Sequence, residues 1–229
     1  MFWISESEMD FPPVEFADQH GILAIGGDLS PQRLLLAYSK GIFPWYNEEY
    51  EPIVWWSPDP RFVLFPDELK VSKSMRPYFN QQKFSVTYDQ CFEEIMRNCQ
   101  VANRKGQHGQ TWINEDMIHS YTQLHEAGFA HSVEVWKEKE LVGGLYGIAM
   151  GKIFFGESMF AKATNASKFG FISLVRRLKT FDFELIDCQQ KTKHLESLGG
   201  RSIKRQEFIE MLQKNKTNDL FQGKWTDWQ

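Results

Sequence analysis

The spacing of apolar positions divides the chain into recognisable segments. Ser30 and Pro31 have the character of a helix N-cap and first helical residue, "QRLLLAYSK" continues with helical periodicity, and Gly41 supplies the stop. From residue 41 to 66, in "GIFPWYNEEYEPIVWWSPDPRFVLFP", Pro and Trp alternate too closely for a long helix, and the stretch is too aromatic for a disordered linker. It predicts packed irregular chain with short strands. Asp89 is placed to cap a helix running through Cys99. Asn114 is placed to cap another, with apolar residues at 117, 118, 121 and 124 before Gly128. The period then changes to near two: "HSVEVWKEKELVGGLYGIAMGKIFFGESMF" predicts a three-stranded antiparallel meander, with pairs such as "GG" read as turns. "NASKFGFISLVRRLKT" returns to helical spacing, "FDFELIDCQ" to a strand, and "KTKHLESLGG" and "QEFIEMLQKN" to two closing helices. The order predicts a mixed α/β, α+β fold with a largely antiparallel sheet. The change from Pro-rich chain to the polar, basic "DELKVSKSMRPYF" predicts a small N-terminal domain over 1–62 and a larger one over 63–229.

Composition narrows the class. With 26 Lys and Arg against 30 acidic residues the net charge is −4, so a polyanion must be gripped by a local patch. Lys70, Lys73, Arg76 and Lys83 form one, with no acid among them, near a segment bearing Trp45, Trp55 and Trp56. Cations beside aromatics suit single-stranded nucleic acid, although solvated lysines and core tryptophans have the same pattern. Cys91, Cys99 and Cys188 form no CxxC pair, which favours reduced thiols and a cytoplasmic setting. The sequence has neither a signal-peptide pattern nor an apolar run of membrane-spanning length, so no membrane partner is expected. HExxH, Walker A and GxGxxG motifs are absent, and His119, His125 and His131 do not share a helix face, so no metal site is predicted.

Three positions carry candidate chemistry. On a continuous strand Asp187 and Gln189 would share a face about 6.6 Å apart at roughly 3.3 Å per residue, with Cys188 pointing the other way. The carboxylate would then accept from the Gln amide and turn the amide oxygen outward; a polar strand end satisfying nearby backbone is the simpler alternative. Glu157, in "FFGESMF", sits among apolar residues where an ionised carboxylate needs a cation, internal or on a substrate. Ser158 lies outside any nucleophile-elbow pattern and reads as structural.

Taken in order, "GGDLSPQRLLLAYSKGIFPWY", "WWSPDPR", "TWINEDMIHSYTQLHEAGFAHSVEVW", "ELVGGLYG", "FFGESMF", "NASKFGF" and "IDCQ" before "HLESLGG" resemble the leucyl/phenylalanyl-tRNA–protein transferases over about residues 11–210. The resemblance implies a small N-terminal domain, a GNAT-like acetyltransferase-type catalytic domain and no cofactor. It also implies transfer of leucine or phenylalanine, with methionine a further donor, from aminoacyl-tRNA to proteins or peptides with N-terminal Arg or Lys. Acceptors so marked enter N-degron degradation, and a monomer is expected. By the same resemblance Asp187 and Gln189 are the catalytic pair and Glu157 meets the acceptor's basic side chain. Leu145, Phe154, Leu174 and Ile186 line the aminoacyl pocket, and Tyr38, Trp45, Trp112 and Tyr121 surround the terminal adenosine of the tRNA.

Two departures from the family pattern qualify these expectations. Two wall positions carry Leu, which changes pocket shape at similar volume, and Thr192 stands where relatives can carry Asn. The competing enzyme class is a GNAT-type N-acetyltransferase using acetyl-CoA. It is disfavoured because "TNASKFGF" occupies the place of a pyrophosphate-binding loop. A non-enzymatic RNA-binding module is the third reading.

Overall fold

The computed structural model describes residues 1–46, 52–102, 112–215 and 223–228. The expectation of short strands over 41–66 therefore lies partly outside the described residues, at 47–51. In chain order the elements are β1 (Phe2–Ile4), β2 (Ile22–Gly26), α1 (Pro31–Ser39), β3 (Phe43–Pro44), β4 (Val54–Trp56) and β5 (Arg61–Leu64). They continue with α2 (Arg76–Asn80), β6 (Ser85–Tyr88), α3 (Phe92–Gln100), α4 (Glu115–Glu126), β7 (Ala130–Lys137), β8 (Glu140–Met150) and β9 (Ile153–Ala161). Last come α5 (Ala166–Thr180), β10 (Leu185–Asp187), α6 (Lys193–Ser197), β11 (Arg201–Ile203) and α7 (Arg205–Asn215). The fold is α+β, as the alternation of periods predicts.

Local chemistry accounts for the helix starts. Ser30 Oγ accepts from Arg33 N at the head of α1, and Asn114 Oδ1 accepts from Met117 N at the head of α4, each cap contributing about 1 kcal/mol. Asp89 behaves differently from its expected capping role. Its carboxylate accepts from Ser132 N (2.9 Å), His131 Nδ1 (2.9 Å) and Trp225 N (2.7 Å), while α3 starts after Cys91 with no side-chain cap. Three donors from distant chain outcompete one local amide. They also hold the carboxyl below its usual range although burial pushes the other way.

Strands β1, β2, β4 and β3 form a four-stranded sheet in that order. A seven-stranded sheet runs β11-β5-β10-β9-β8-β7-β6 and is antiparallel except for the β9–β10 pair, which α5 connects as a crossover. The meander β7–β8–β9 appears where the alternation places it. The glycines of "GGLYG", however, lie inside β8 rather than in turns. Close packing selects them: a Cβ on Gly143 would stand 2.7 Å from Ala166 Cβ, and one on Gly144 2.5 Å from Ile95 Cδ1. Without side chains at these points α5 and α3 settle onto the two faces of β8.

Two irregularities shape the site. The ladder between β8 and β9 pairs Tyr146 with Ser158 and Gly147 with Gly156, leaving Glu157 as the extra residue of a β-bulge. Gly147 permits this, because a Cβ there would lie 2.2 Å from Phe155 O and 2.5 Å from Phe154 Cζ. The second irregularity ends β10. The strand stops at Asp187, and Gln189 takes φ +60°, with Gln190 N donating to Cys188 O at 2.6 Å across it. A non-glycine residue held there costs about 1–3 kcal/mol, strain that the surrounding bonds must offset.

Candidate active site

Glu157 is the centre of the polar cluster. The bulge aims its side chain away from the regular face, and the parallel register, in which Asp187 opposes Phe155, carries Gln189 alongside it. Gln189 Nε2 donates to Glu157 Oε1 at 2.7 Å and Tyr38 Oη donates to the same oxygen at 2.8 Å. Tyr121 Oη lies 2.5 Å from Tyr38 Oη and 3.4 Å from Glu157 Oε2, so its single proton is shared between them. Oε1 is therefore well supplied and Oε2 is not. Burial pushes the Glu157 carboxyl up to about 7, with the Asp187 charge adding to the rise and the Tyr38 and Gln189 bonds and the Arg61 charge opposing it. Both tyrosines are held well above their ordinary value by burial and by the Glu157 charge, and stay protonated donors.

Asp187 sits behind this cluster, fully buried. Arg61 grips it through Nε to Oδ1 (2.8 Å) and Nη2 to Oδ2 (2.6 Å), a bidentate pair. The guanidinium also donates to Gly41 O and lies against the rings of Phe43 and Phe208, 4.8 and 4.7 Å from their centroids. From within this pair Oδ1 accepts the main-chain N–H of Gln189 at 2.9 Å. The expected side-chain bond between Asp187 and Gln189 is thus replaced. Asp187 holds the turn, and Glu157 holds the amide. The reason is the end of β10: once Gln189 leaves extended geometry, alternation no longer puts residues 187 and 189 on one face.

A cavity of about 340 Å³ opens beside the cluster. Leu145, Phe154 and Phe171 contribute apolar wall, Glu157 and Gln189 the polar side, and Trp45 and Trp112 also line it. Of the four residues expected to line an aminoacyl pocket, Leu145 and Phe154 do; Leu174 and Ile186 are fully buried in the hydrophobic cluster that contains Phe154 and do not reach the cavity. Of the aromatics expected around an adenosine, Trp45 and Trp112 line the cavity, whereas Tyr38 and Tyr121 are fully buried with their hydroxyls committed to Glu157. Cys188 points opposite to Asp187 and packs with Ile186, as alternation predicts, and it is that face which lines the cavity. Burial raises its thiol far above the ordinary range, which leaves it neutral and a poor nucleophile. Thr192 also lines the cavity and caps α6 by accepting from Leu195 N.

A family model described as leucyl/phenylalanyl-tRNA protein transferase matches residues 63–213, and one described as the N-terminal domain of that transferase matches residues 27–59. The chain belongs to the leucyl/phenylalanyl-tRNA–protein transferase family. A leucyl/phenylalanyl-tRNA–protein transferase of Christiangramia forsetii is 57% identical over 93% of this chain and 100% of its own length. One of Pseudomonas aeruginosa is 55% identical over 93% of both chains. Among solved structures, L-PGS from Bacillus licheniformis aligns over 72% of this chain and 51% of its own with a TM-score of 0.40 at 14% identity, too distant to bear on the site. The transferase is thus an aminoacyltransferase.

On the transferase surface Lys70, Lys73, Arg76 and Lys83 are all exposed, and none enters an ion pair among the described residues. Lys83 lies 5.3 Å from the Tyr78 ring centroid. No helix among the described residues is long and apolar enough to cross a membrane, and no group of three or more metal-binding side chains occurs among them. Arg61 escaped sequence reasoning although it stands in the quoted "WWSPDPR". Its signal is weak: one cation in apolar chain, whose partner is 126 positions away.

Proposed function

We propose that this transferase moves leucine or phenylalanine from aminoacyl-tRNA to the N-terminal Arg or Lys of a protein, marking it for N-degron degradation, and that it works in the cytoplasm. The reading takes residues 63–229 as a GNAT-like catalytic unit and 1–62 as a small N-terminal one. One observation carries it: Gln189 and Glu157, joined at 2.7 Å, meet at the edge of an apolar cavity. The aminoacyl side chain occupies the apolar part against Leu145 and Phe154, which suits donors distinguished by shape and not by hydrogen bonds. The terminal adenosine lies against Trp45 and Trp112. Lys70, Lys73, Arg76 and Lys83 neutralise tRNA phosphates, which gives a net-acidic protein its local grip on a polyanion.

The chemistry asks little of a base. The aminoacyl ester is already activated, and an N-terminal amine with a pKa of about 7.7–8.0 is in part unprotonated at neutral pH. With its NH₂ turned to Glu157, the Gln189 amide directs its carbonyl oxygen elsewhere, where it can accept a hydrogen from the incoming amine and aim the nitrogen lone pair at the ester carbon. The new amide C–N bond forms, the ester C–O bond breaks, and the amine proton ends on the departing ribose oxygen. Alignment supplies most of the acceleration. Glu157 Oε2, supplied by one long contact, has room for the acceptor's guanidinium or ammonium, and a cation there draws the carboxyl down from about 7 into its charged form.

Single-turnover transfer of labelled leucine from leucyl-tRNA to an Arg-started peptide tests the reading, with a Glu-started peptide as control. Transfer to the Arg peptide and not to the control is the expected result. Acetylation of the peptide from acetyl-CoA without aminoacyl transfer would overturn it in favour of the acetyltransferase class.

A further inference from the structure

The C-terminal segment Gly223–Trp228 lies beyond the residues the family model matches, which end at 213, yet it is built into the wall behind the cavity. Trp225 is 2% exposed and stacks on His131 with centroids 3.7 Å apart and planes 2° from parallel. Its main-chain N–H is anchored on Asp89 at 2.7 Å, and His131 is anchored on the same carboxylate oxygen at 2.9 Å. On its other face Trp228 stacks at 3.9 Å and in turn stacks on Phe181 at 4.5 Å. The entry of the tail is equally determined: Gly223 N donates to Gly128 O at 3.1 Å, and a Cβ on Gly128 would lie 2.6 Å from Gly223 N.

What this arrangement touches gives it consequence. The Trp225 ring centroid is 6.0 Å from that of Phe154, the ring that forms part of the cavity wall. Phe154 is itself fully buried and confined on another side by Gly147, where any side chain would collide with its Cζ. A ring with one flank fixed by backbone and the other by an indole cannot tilt outward from the cavity. Interiors at crystal-like packing density transmit such a constraint directly.

We propose that Trp225 is a positioning residue that sets the depth of the aminoacyl pocket by bracing Phe154, so that the C-terminal tail is a determinant of which amino acid is transferred. This rests on the reading of Phe154 as pocket wall. Donor choice follows from the space behind Phe154 as well as from the residues facing the donor. Removing the brace lets the ring retreat, deepens the pocket and favours phenylalanine, the longer donor, over leucine.

Competition between leucyl-tRNA and phenylalanyl-tRNA at a fixed acceptor peptide measures the effect. In Trp225→Ala the phenylalanine-to-leucine ratio should rise by roughly tenfold, the low end of what a methylene-sized change in an apolar pocket produces, with KM for the peptide unchanged. Trp225→Phe should shift it less in the same direction, and it decides the matter if the alanine variant does not fold. Trp228→Ala, which frees one face of Trp225 but keeps its stack on His131 and its anchor on Asp89, should shift the ratio less than Trp225→Ala. Phe154→Ala separates the two layers of the reading. If it alters the ratio while both Trp225 variants do not, the brace is wrong and the pocket stands. If none of them alters it, Phe154 is not pocket wall and the brace falls with it.

Discussion

Asp187 and Glu157 are both carboxylates withdrawn from bulk water at neighbouring positions of one parallel strand pair, yet their surroundings assign them opposite tasks. Asp187 faces a guanidinium in bidentate geometry and one main-chain N–H, and is sealed from the cavity. Glu157 faces neutral donors, two phenols and an amide, and lines the cavity. A charge balanced by a fixed opposite charge is scaffold. A carboxylate given dipoles alone stays poised near neutrality, ready for a cation from outside. The contrast also explains why Asp187 matters to Gln189 without touching its amide: it secures a strained turn, while Glu157 aims the group at the end of it.

The largest effect that can break this contrast comes from unbalancing the scaffold. Asp187→Ala leaves Arg61 charged and buried, which should cost about 3–5 kcal/mol of folding free energy. Replacing both, with Arg61→Met and Asp187→Leu, should recover much of that stability while transfer stays poor, because the Gln189 turn has lost its anchor. Urea unfolding and single-turnover transfer on the same samples provide the check. A double variant that is stable and fully active would make the pair irrelevant to the turn.

Next in size is the amide itself. Gln189→Ala removes a preorganised polar contact and should lower kcat by about 10²–10³-fold with little change in stability. If Glu157 aims the amide, Gln189→Ala combined with Glu157→Ala should cost kcat little more than the worse single change. Multiplicative losses would mean the two act independently.

These two predictions also mark where the sequence was informative. Helix caps at Ser30 and Asn114, the meander and the crossover helix all follow from neighbours within a few residues, and the pattern shows them. Glu157 as a carboxylate demanding a partner, and Gln189 beside an acid, were likewise visible as types. Their actual partners were not, because Tyr38 lies 119 positions from Glu157 and Arg61 lies 126 from Asp187. The local rule that failed was strand alternation past Asp187. It assumed extended backbone at Gln189, where bonds from Cys188 N to Phe62 O and from Gln189 N to Asp187 Oδ1 hold a left-handed turn. Asp89 teaches the same lesson, a residue of capping type taken by donors from strand and tail.

A pH titration sharpens the contrast without large loss. The Glu157 carboxyl is raised to about 7 from the ordinary 4.5 of a glutamate, so between these values the folded state binds the proton more tightly than the unfolded chain. Its contribution is therefore fully present below pH 4.5, declines as pH rises, and is gone above about 7. Glu157→Gln should remove that decline from the difference between unfolding free energies at pH 5 and pH 8. If Glu157 receives the acceptor cation, as proposed, transfer changes in the other direction, since only the ionised carboxylate attracts it: KM for an Arg-started peptide should fall between pH 6 and 8 in the parent and stay level in Glu157→Gln. A parallel fall in both would assign the effect to the amine alone.

The smallest effect expected is at the thiol between Asp187 and Gln189 in sequence. Cys188 lines the cavity next to Gln189, which makes a nucleophilic role geometrically open, but burial keeps the thiol protonated and its Sγ is directed to Ile186 O at 3.8 Å. Ser at 188 keeps the shape and exchanges a weakly polar group for a hydroxyl that needs a partner, so the change should appear as a loss of roughly 1 kcal/mol in stability or less. Transfer should stay within about threefold of the parent, and the variant should resist thiol-alkylating reagents no better than the parent at the active site. An acyl group trapped on residue 188 in acid-quenched reactions of the parent, absent in Cys188→Ser, would show that the reaction passes through a covalent intermediate. It would also move the decisive chemistry from the Glu157–Gln189 pair to the residue beside it.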